Sequence, residues 1–263
     1  MLVLPRPQAL FLDFGGVVAQ TTTRPGWIEE LAEEVDRLLE PAEGAGLSVA
    51  EIAVDIRAAA AADTAWKAAM SRLQAPRELT AAEFWADFVA SDWTGSQRQV
   101  VTDHAALLCY RMGVLRASRI MRPGIDELLQ AACVHDIAVA VVSNALSGAV
   151  HRDFLAEQGL THHFATQVYS DEAGVRKPNP ELILFAARTL HIAVRDVWYV
   201  GDTLDRDVLC ARRAGAGMTI LMESSATYQV PYQIRQQPDL VVADPQELTA
   251  HLVATCLGTN IAR

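Results

Sequence analysis

Asp13 closes a short apolar run, Ala9-Leu10-Phe11-Leu12, and is followed by Phe14, Gly15 and Gly16. Far downstream, Val197-Trp198-Tyr199-Val200-Gly201 leads into Asp202 in the same way. A carboxylate delivered by a strand into a glycine-containing turn can attack phosphorus or help hold a divalent metal. Glycine there lets the backbone approach a ligand closely. Between these two points, Val141-Val142 ends in Ser143 and Asn144, two small hydrogen-bonding side chains. Ser143 could donate to a phosphoryl oxygen and Asn144 could orient the nucleophile or bind substrate; alternatively both cap the next helix. Lys177 stands in Arg176-Lys177-Pro178-Asn179-Pro180, where two prolines restrict the backbone that aims its side chain. An ammonium beside Asp13 would hold that carboxylate ionised and offset charge on a transferring phosphoryl group, although an ordinary surface lysine is the commoner case. Asp202, Asp205 and Asp207 crowd one strand-to-helix turn, where their repulsion calls for a cation. Mg²⁺ suits a few carboxylate oxygens completed by water and phosphate oxygens. Asp205 is better read as a helix-start charge on the helix dipole than as a ligand.

The elements needed to position these residues are visible in the hydrophobic pattern. From Pro123-Gly124 onward, short apolar runs alternate with amphipathic helices. Strands are expected at Ile137 to Val142, Thr166 to Tyr169, Val197 to Val200, Met218 to Leu221 and Leu240 to Val242. Continuous apolar runs suit parallel strands covered on both faces. This alternation predicts an α/β fold with a doubly wound parallel sheet, whose ligands bind beyond the carboxyl ends of the strands. From about Trp27 to Leu115 the spacing is helical instead: Trp27 to Leu39, Val49 to Leu73, a helix capped by Thr80 with Glu83, and Ser96 to Met112. The expected division is an α/β core from 1–17 and 117–263 and an inserted helical unit from 18–116.

The formal net charge of -10 argues against a general nucleic-acid binder or a binder of anionic membranes. No apolar run approaches a bilayer span, and the opening Met1-Leu2-Val3-Leu4-Pro5-Arg6-Pro7 does not have the layout of a signal peptide. The four cysteines, Cys109, Cys133, Cys210 and Cys256, form no Cys-x-x-Cys pair and read as reduced thiols, most of them core filler, in a cytoplasmic protein. His162-His163 has no partner at ligand spacing and is expected in a loop.

Taken together, Asp13, Ser143, Lys177 and the Asp202/Asp207 pair resemble, in order and approximate spacing, the four motifs of the haloacid dehalogenase (HAD) superfamily. Arg122-Pro123-Gly124-Ile125 and Ala211-Arg212-Arg213-Ala214-Gly215 add to the likeness. The helical block resembles the family's helical (C1-type) cap, inserted after the first motif. The resemblance implies a Rossmann-like core and a hydrolase acting on a small phosphorylated metabolite through an aspartyl-phosphate on Asp13. It implies Mg²⁺ held by Asp13, the Gly15 carbonyl and Asp202, with Asp207 bound through water or in support, and Ser143 and Lys177 on the phosphoryl oxygens. Family phosphatases usually carry a second Asp two residues after the nucleophile, as general acid and base. Gly15 occupies that position here, and Thr21, Thr22 and His151 are side chains that could substitute. A catalytically degenerate binder of a phosphorylated ligand or protein partner, and a metal-independent dehalogenase, are the alternatives. In capped relatives the cap contributes substrate contacts; Arg24, Trp27, Trp66, Trp85 and Trp93 are its conspicuous residues, the tryptophans being expected mainly as core.

Overall fold

In the computed structural model, the described residues are 5–39, 46–229 and 233–258. Residues 1–4, on which the signal-peptide reading partly rests, lie outside them, as do the outermost ends of the expected core. Among the described residues eight strands are present: β1 (Ala9–Leu12), β2 (Ala19–Thr23), β3 (Ala117–Met121), β4 (Ala138–Ser143), β5 (Thr166–Tyr169), β6 (Val197–Gly201), β7 (Met218–Met222) and β8 (Leu240–Val242). Six form one sheet in the order β5-β4-β1-β6-β7-β8, with every pairing parallel. This is the expected doubly wound α/β core.

The two-residue period of a strand divides its side chains between two hydrophobic layers. Leu10, Leu12, Val139, Val141, Trp198 and Val200 face helices Ile125–Val134, Ala149–Glu157 and Pro245–Leu257. Ala9, Phe11, Ala140, Val142, Val197 and Tyr199 face helices Glu181–Thr189 and Leu209–Ala214. Burial on both faces explains why the strands read as unbroken apolar runs. The register sets Leu12 beside Val141 on one side and Val200 on the other. The carboxyl ends of β4, β1 and β6 therefore finish at one level.

The helical block builds a third hydrophobic cluster from helices Trp27–Leu39, Val49–Met70, Gly95–Asp103 and Ala105–Arg116. Trp27, Trp85 and Trp93 are buried in it. Thr80 caps the short helix Ala81–Glu83 through a reciprocal bond pair with Glu83, and the chain continues as a wider π turn, Phe84–Val89. One expected helix is two: Ser96 to Met112 is interrupted at His104, which leaves helical geometry.

Among the described residues block and core meet in several places, including Tyr110 O–H on Asp153 (2.7 Å), and two of these contacts bear on the site. The first is an antiparallel ribbon of β2 and β3, absent from the sequence reading, which pairs Thr21 with Arg119. Its residues are largely polar and β2 is exposed beyond Ala19, so no apolar alternation announces it. The second is a strap, residues 73–79. Glu78 N–H donates to Gly174 O, Arg176 N–H donates to Pro76 O, and Arg213 donates to the carbonyls of Leu73 and Gln74. The buried Glu78–Arg176 ion pair, 2.7 Å, lies in the middle of this seam.

All four cysteines are free, but only Cys109 and Cys210 are buried; Cys133 is exposed and Cys256 intermediate, so half rather than most of them fill the core. His162 and His163 lie in a short 3₁₀ turn.

Candidate active site

The three central strands converge on one point. Asp13 follows β1 and its N–H extends the ladder to Val200 O at 2.9 Å. Ser143 is the last residue of β4, and Asp202 directly follows β6. Oxygen atoms of Asp13, Asp202 and Asp207 come within 4.8 Å of one another, and all three residues are buried. Lys177 Nζ lies 2.7 Å from Asp13 Oδ1 and 2.6 Å from Asp207 Oδ1. It also donates to the Tyr199 hydroxyl (3.0 Å) and to Val142 O (3.2 Å). At 2% exposure it is no surface lysine. Ser143 is buried, lines one cavity with Asp13 and Lys177 and works against a rise in the Asp13 pKa; the next helix begins at Gly148, so Ser143 does not cap it.

These groups open onto a cavity of about 600 Å³. Gly15 and Gly16 line it but do different things. Nothing lies within 4 Å of where a Gly15 side chain would begin. Gly16 has φ +74°, and a side chain there would collide with the Asp202 carboxylate. Gly16 is thus required by both backbone and space, whereas Gly15 leaves open room in front of the nucleophile position.

The charges do not balance. Burial raises the Asp13 pKa; Lys177 pulls it back, Asp207 pushes it up again, and the net direction is upward. The expectation that Lys177 holds Asp13 ionised is therefore met only in part, because the ammonium is shared with Asp207. Burial also works against ionisation of Asp207, but Lys177 and Arg206 outweigh it and hold that carboxyl below its usual value. Asp202 is pushed up to about 7 by burial, then by Asp207 and Asp13. Lys177 loses through burial and gains more from Asp13 and Asp207, so it stays charged. Three buried carboxylates around one shared ammonium are a donor set to which a divalent cation is suited.

Two residues have their polar atoms engaged within the protein. Asn144, expected to bind substrate, lines the cavity but spends both ends of its amide on the main chain of Lys177. Its Oδ1 accepts from Lys177 N–H (2.7 Å) and its Nδ2 donates to Lys177 O (3.1 Å). Its evident work is to hold the lysine. Asp207, expected to meet the metal through water or in support, has both oxygens engaged. Oδ1 accepts from Lys177 and Tyr199, and Oδ2 from the N–H and hydroxyl of Thr203. That leaves it better suited to supporting the site than to direct ligation. Asp205 is buried at the start of the turn Leu204–Val208, as a helix-start residue, with Arg206 Nε 3.6 Å away.

Several site residues escaped the sequence reading. Ser224 donates to Asp202 Oδ2 (2.7 Å) and Thr227 to Asp202 O (2.7 Å). Their signal was position: they follow the carboxyl end of β7, where such sheets gather their sites. Tyr199 and Thr203 could have been found from Asp207, since Thr203 precedes it by one helical turn. Arg122 donates to the carbonyls of Gly16, Glu223 and Ala243, tying the turn after Asp13 to the far strands. Thr21, Thr22 and His151, the candidates to replace the second Asp, all line the cavity. Its lining among the described residues includes neither Arg24 nor any tryptophan. Arg24 instead bonds Leu115 O and Glu30, and the Trp66 ring has the guanidinium groups of Arg77 and Arg176 within 5.8 Å of its centroid.

Comparison with known proteins bears on the family and the fold. A glyceraldehyde 3-phosphate phosphatase of Methanopyrus kandleri is 36% identical over 94 residues, 36% of this chain and 40% of that protein. A phosphoserine phosphatase of Thermus thermophilus is 30% identical over 126 residues, 48% of this chain and 49% of that protein. The matches thus span less than half the length of these curated relatives. The crystal structure of a 2-haloacid dehalogenase from Pseudomonas syringae superposes with a TM-score of 0.57 at 17% identity, over 95% of this chain and 98% of that one, a likeness of fold. The family model for haloacid dehalogenase-like hydrolases matches residues 7–215, which takes in Asp13, Ser143, Lys177, Asp202 and Asp207, and the chain belongs to that family.

Proposed function

We propose that the protein is a Mg²⁺-dependent phosphatase of a small phosphorylated metabolite, of the sugar phosphate or nucleotide class. The observation that carries this reading is the meeting of three buried carboxylates and one shared ammonium at the mouth of a roughly 600 Å³ cavity. The phosphatase names of the two relatives support the reaction class. Asp13, Asp202 and the Gly15 carbonyl would hold the ion, with Asp207 supporting through water and through Lys177. When bound, it would offset both the carboxylate repulsion and the charge of the phosphoryl group. Residues 18–116 would act as a cap over a core formed by 1–17 and 117–263. We assign the protein to the cytoplasm, consistent with its free cysteines; among the described residues no helix is long and apolar enough to cross a membrane.

In the proposed reaction a carboxylate oxygen of Asp13 attacks phosphorus. The bond to the leaving oxygen breaks, and that oxygen takes a proton from water because Gly15 offers none. The Lys177 ammonium and Ser143 hydroxyl donate to the phosphoryl oxygens as charge shifts. Water then attacks the aspartyl-phosphate, releasing inorganic phosphate and restoring the carboxylate. Lacking a side-chain acid at position 15 costs roughly 10²–10⁴-fold on leaving groups that need protonation.

The test is phosphate release from a panel of sugar phosphates, nucleotides and phosphorylated acids, with Mg²⁺ and with EDTA. Turnover should require Mg²⁺ and fall by on the order of 10⁴-fold or more in Asp13→Asn. Gly15 specifically favours a second reading, a binder without turnover; saturable binding of panel members by folded protein that releases no phosphate would establish it. Halide release from a haloacid that survives EDTA would point to dehalogenation instead.

A further inference from the structure

Four cations line the cavity: Arg119, Arg122, Lys177 and Arg206. Three of them have acidic groups acting on them. Lys177 faces Asp13 and Asp207, Arg206 stands in the field of Asp207, Asp205 and Asp202, and Arg122 feels Asp244 and Asp202 while bonded to three carbonyls. Arg119 differs. Its guanidinium donates to Ala117 O (3.2 Å) and Gly113 O (2.9 Å), and among the described residues no carboxylate pairs with it. Burial is the single influence on its titration and acts against the charge. Two carbonyls thus fix a partly desolvated guanidinium, and the remaining donors of its fork are free for a planar anion.

Its surroundings point the same way. Arg119 lies directly across the ribbon from Thr21, and both line the cavity. His151 also lines it, stacked on Phe14 at 4.0 Å and edge-on to Tyr169. The buried Nδ1 of His151 has no hydrogen-bond partner. Burial, followed by Arg119 and Lys177, drives its pKa down to about 3, so the ring is neutral and does not add a competing charge. A cavity of this size has room beyond a phosphoryl group for a second functional group.

We propose that Arg119, with Thr21 opposite and His151 beside it, is a subsite for a second anionic group on the substrate, so that the preferred substrates are phosphomonoesters that also carry a carboxylate or a second phosphate. This rests on the phosphatase reading and narrows it: neutral sugar monophosphates become the poorer class. Arg119 is a specificity residue here, remote from the phosphoryl chemistry, and its effect should fall mainly on KM.

The experiment compares 3-phosphoglycerate with glycerol 1-phosphate, which differ in carboxylate against hydroxymethyl, and 1,3-propanediol bisphosphate with the corresponding monophosphate. In the wild-type protein with Mg²⁺, the dianionic-plus-anionic member of at least one pair should have a kcat/KM roughly 10- to 100-fold higher, the range expected for a charge-assisted hydrogen bond. Which pair responds distinguishes carboxylate from phosphate. Arg119→Gln should bring that ratio close to one through KM. Arg119→Lys, which keeps the charge and loses the fork, should give an intermediate ratio and serves if the glutamine variant does not fold. Equal kcat/KM within both pairs, or a preference that survives both substitutions, overturns the subsite. If nothing is hydrolysed, the phosphatase reading fails, and calorimetric binding of the same pairs then decides the subsite: no preference for the extra anion, or one that Arg119→Lys leaves intact, overturns it.

Discussion

Arg176 and Lys177 are chain neighbours, equally buried, and they turn into opposite surroundings. Arg176 meets Glu78 from the strap at 2.7 Å, and that carboxylate is completed by the Ser170 hydroxyl and the Leu79 N–H. One positive charge answers one negative charge, and the pair is sealed between block and core. Lys177 meets Asp13 and Asp207 together, with Asp202 close behind, at the edge of an open cavity. A closed pair is balanced in charge by the protein itself, although Arg176 Nε is left without a hydrogen-bond partner. An unbalanced, open cluster is incomplete until something charged enters, and this distinguishes a fastening from a site more clearly than burial or ion pairing does.

Substituting the two neighbours should break the comparison most visibly. Arg176→Met should leave Glu78 buried and unpaired, costing about 3–5 kcal/mol in denaturant unfolding, with turnover per folded molecule changed far less than stability. Lys177→Met should reduce turnover by roughly 10²–10³-fold or more. Similar losses of turnover per folded molecule in the two variants would dissolve the distinction.

Asp202 sharpens it through pH. Its folded pKa of about 7 lies above the ordinary 3.8, so between those values the folded state holds more of this proton than the unfolded state. Stability from this group is complete at low pH and is lost as pH climbs through the folded pKa, by up to ~4 kcal/mol. In EDTA, Asp202→Asn should therefore gain on the wild type as pH rises from 4 to 8. Mg²⁺ should raise the melting temperature of the wild type more than that of the variant. A wild-type-minus-variant difference that stays flat with pH would show that the carboxylates tolerate one another unaided.

The smallest effect separates the two glycines. Gly15→Ala should change stability by less than about 1 kcal/mol, since space is open there. Gly16→Ala should cost several times more, because its φ and the Asp202 carboxylate both oppose a side chain. Gly15→Asp also starts into open space and, under the proposed mechanism, should raise kcat on substrates with poor leaving groups.

The parallel sheet was legible because each strand is buried on both faces, and the site positions were legible because they end those strands. Asp13, Ser143 and Asp202 needed no more than that. What stayed hidden depends on contacts between distant segments. Nothing local in Gln20-Thr21-Thr22 announces a strand, because β2 lies mostly in solvent and is fixed only by pairing with β3. Glu78 looks like any surface acid until Arg176, 98 positions on, is brought against it. Asn144 offers the same amide to a substrate or to a backbone, and only the approach of Lys177 decides between them.

The strap has a mechanical consequence. It grips residues 174–179, the stretch that bears Lys177, through Gly174 O, Arg176 N–H and Asn179 Nδ2. A swing of the helices that kept this grip would have to use it as a fulcrum, bending the thin ribbon at the other end. A swing that released it would tug the lysine out of aim. If the helical block moves as the proposed cap, admission of a ligand and alignment of the ammonium would therefore be geared together, by a tether that does not line the chamber.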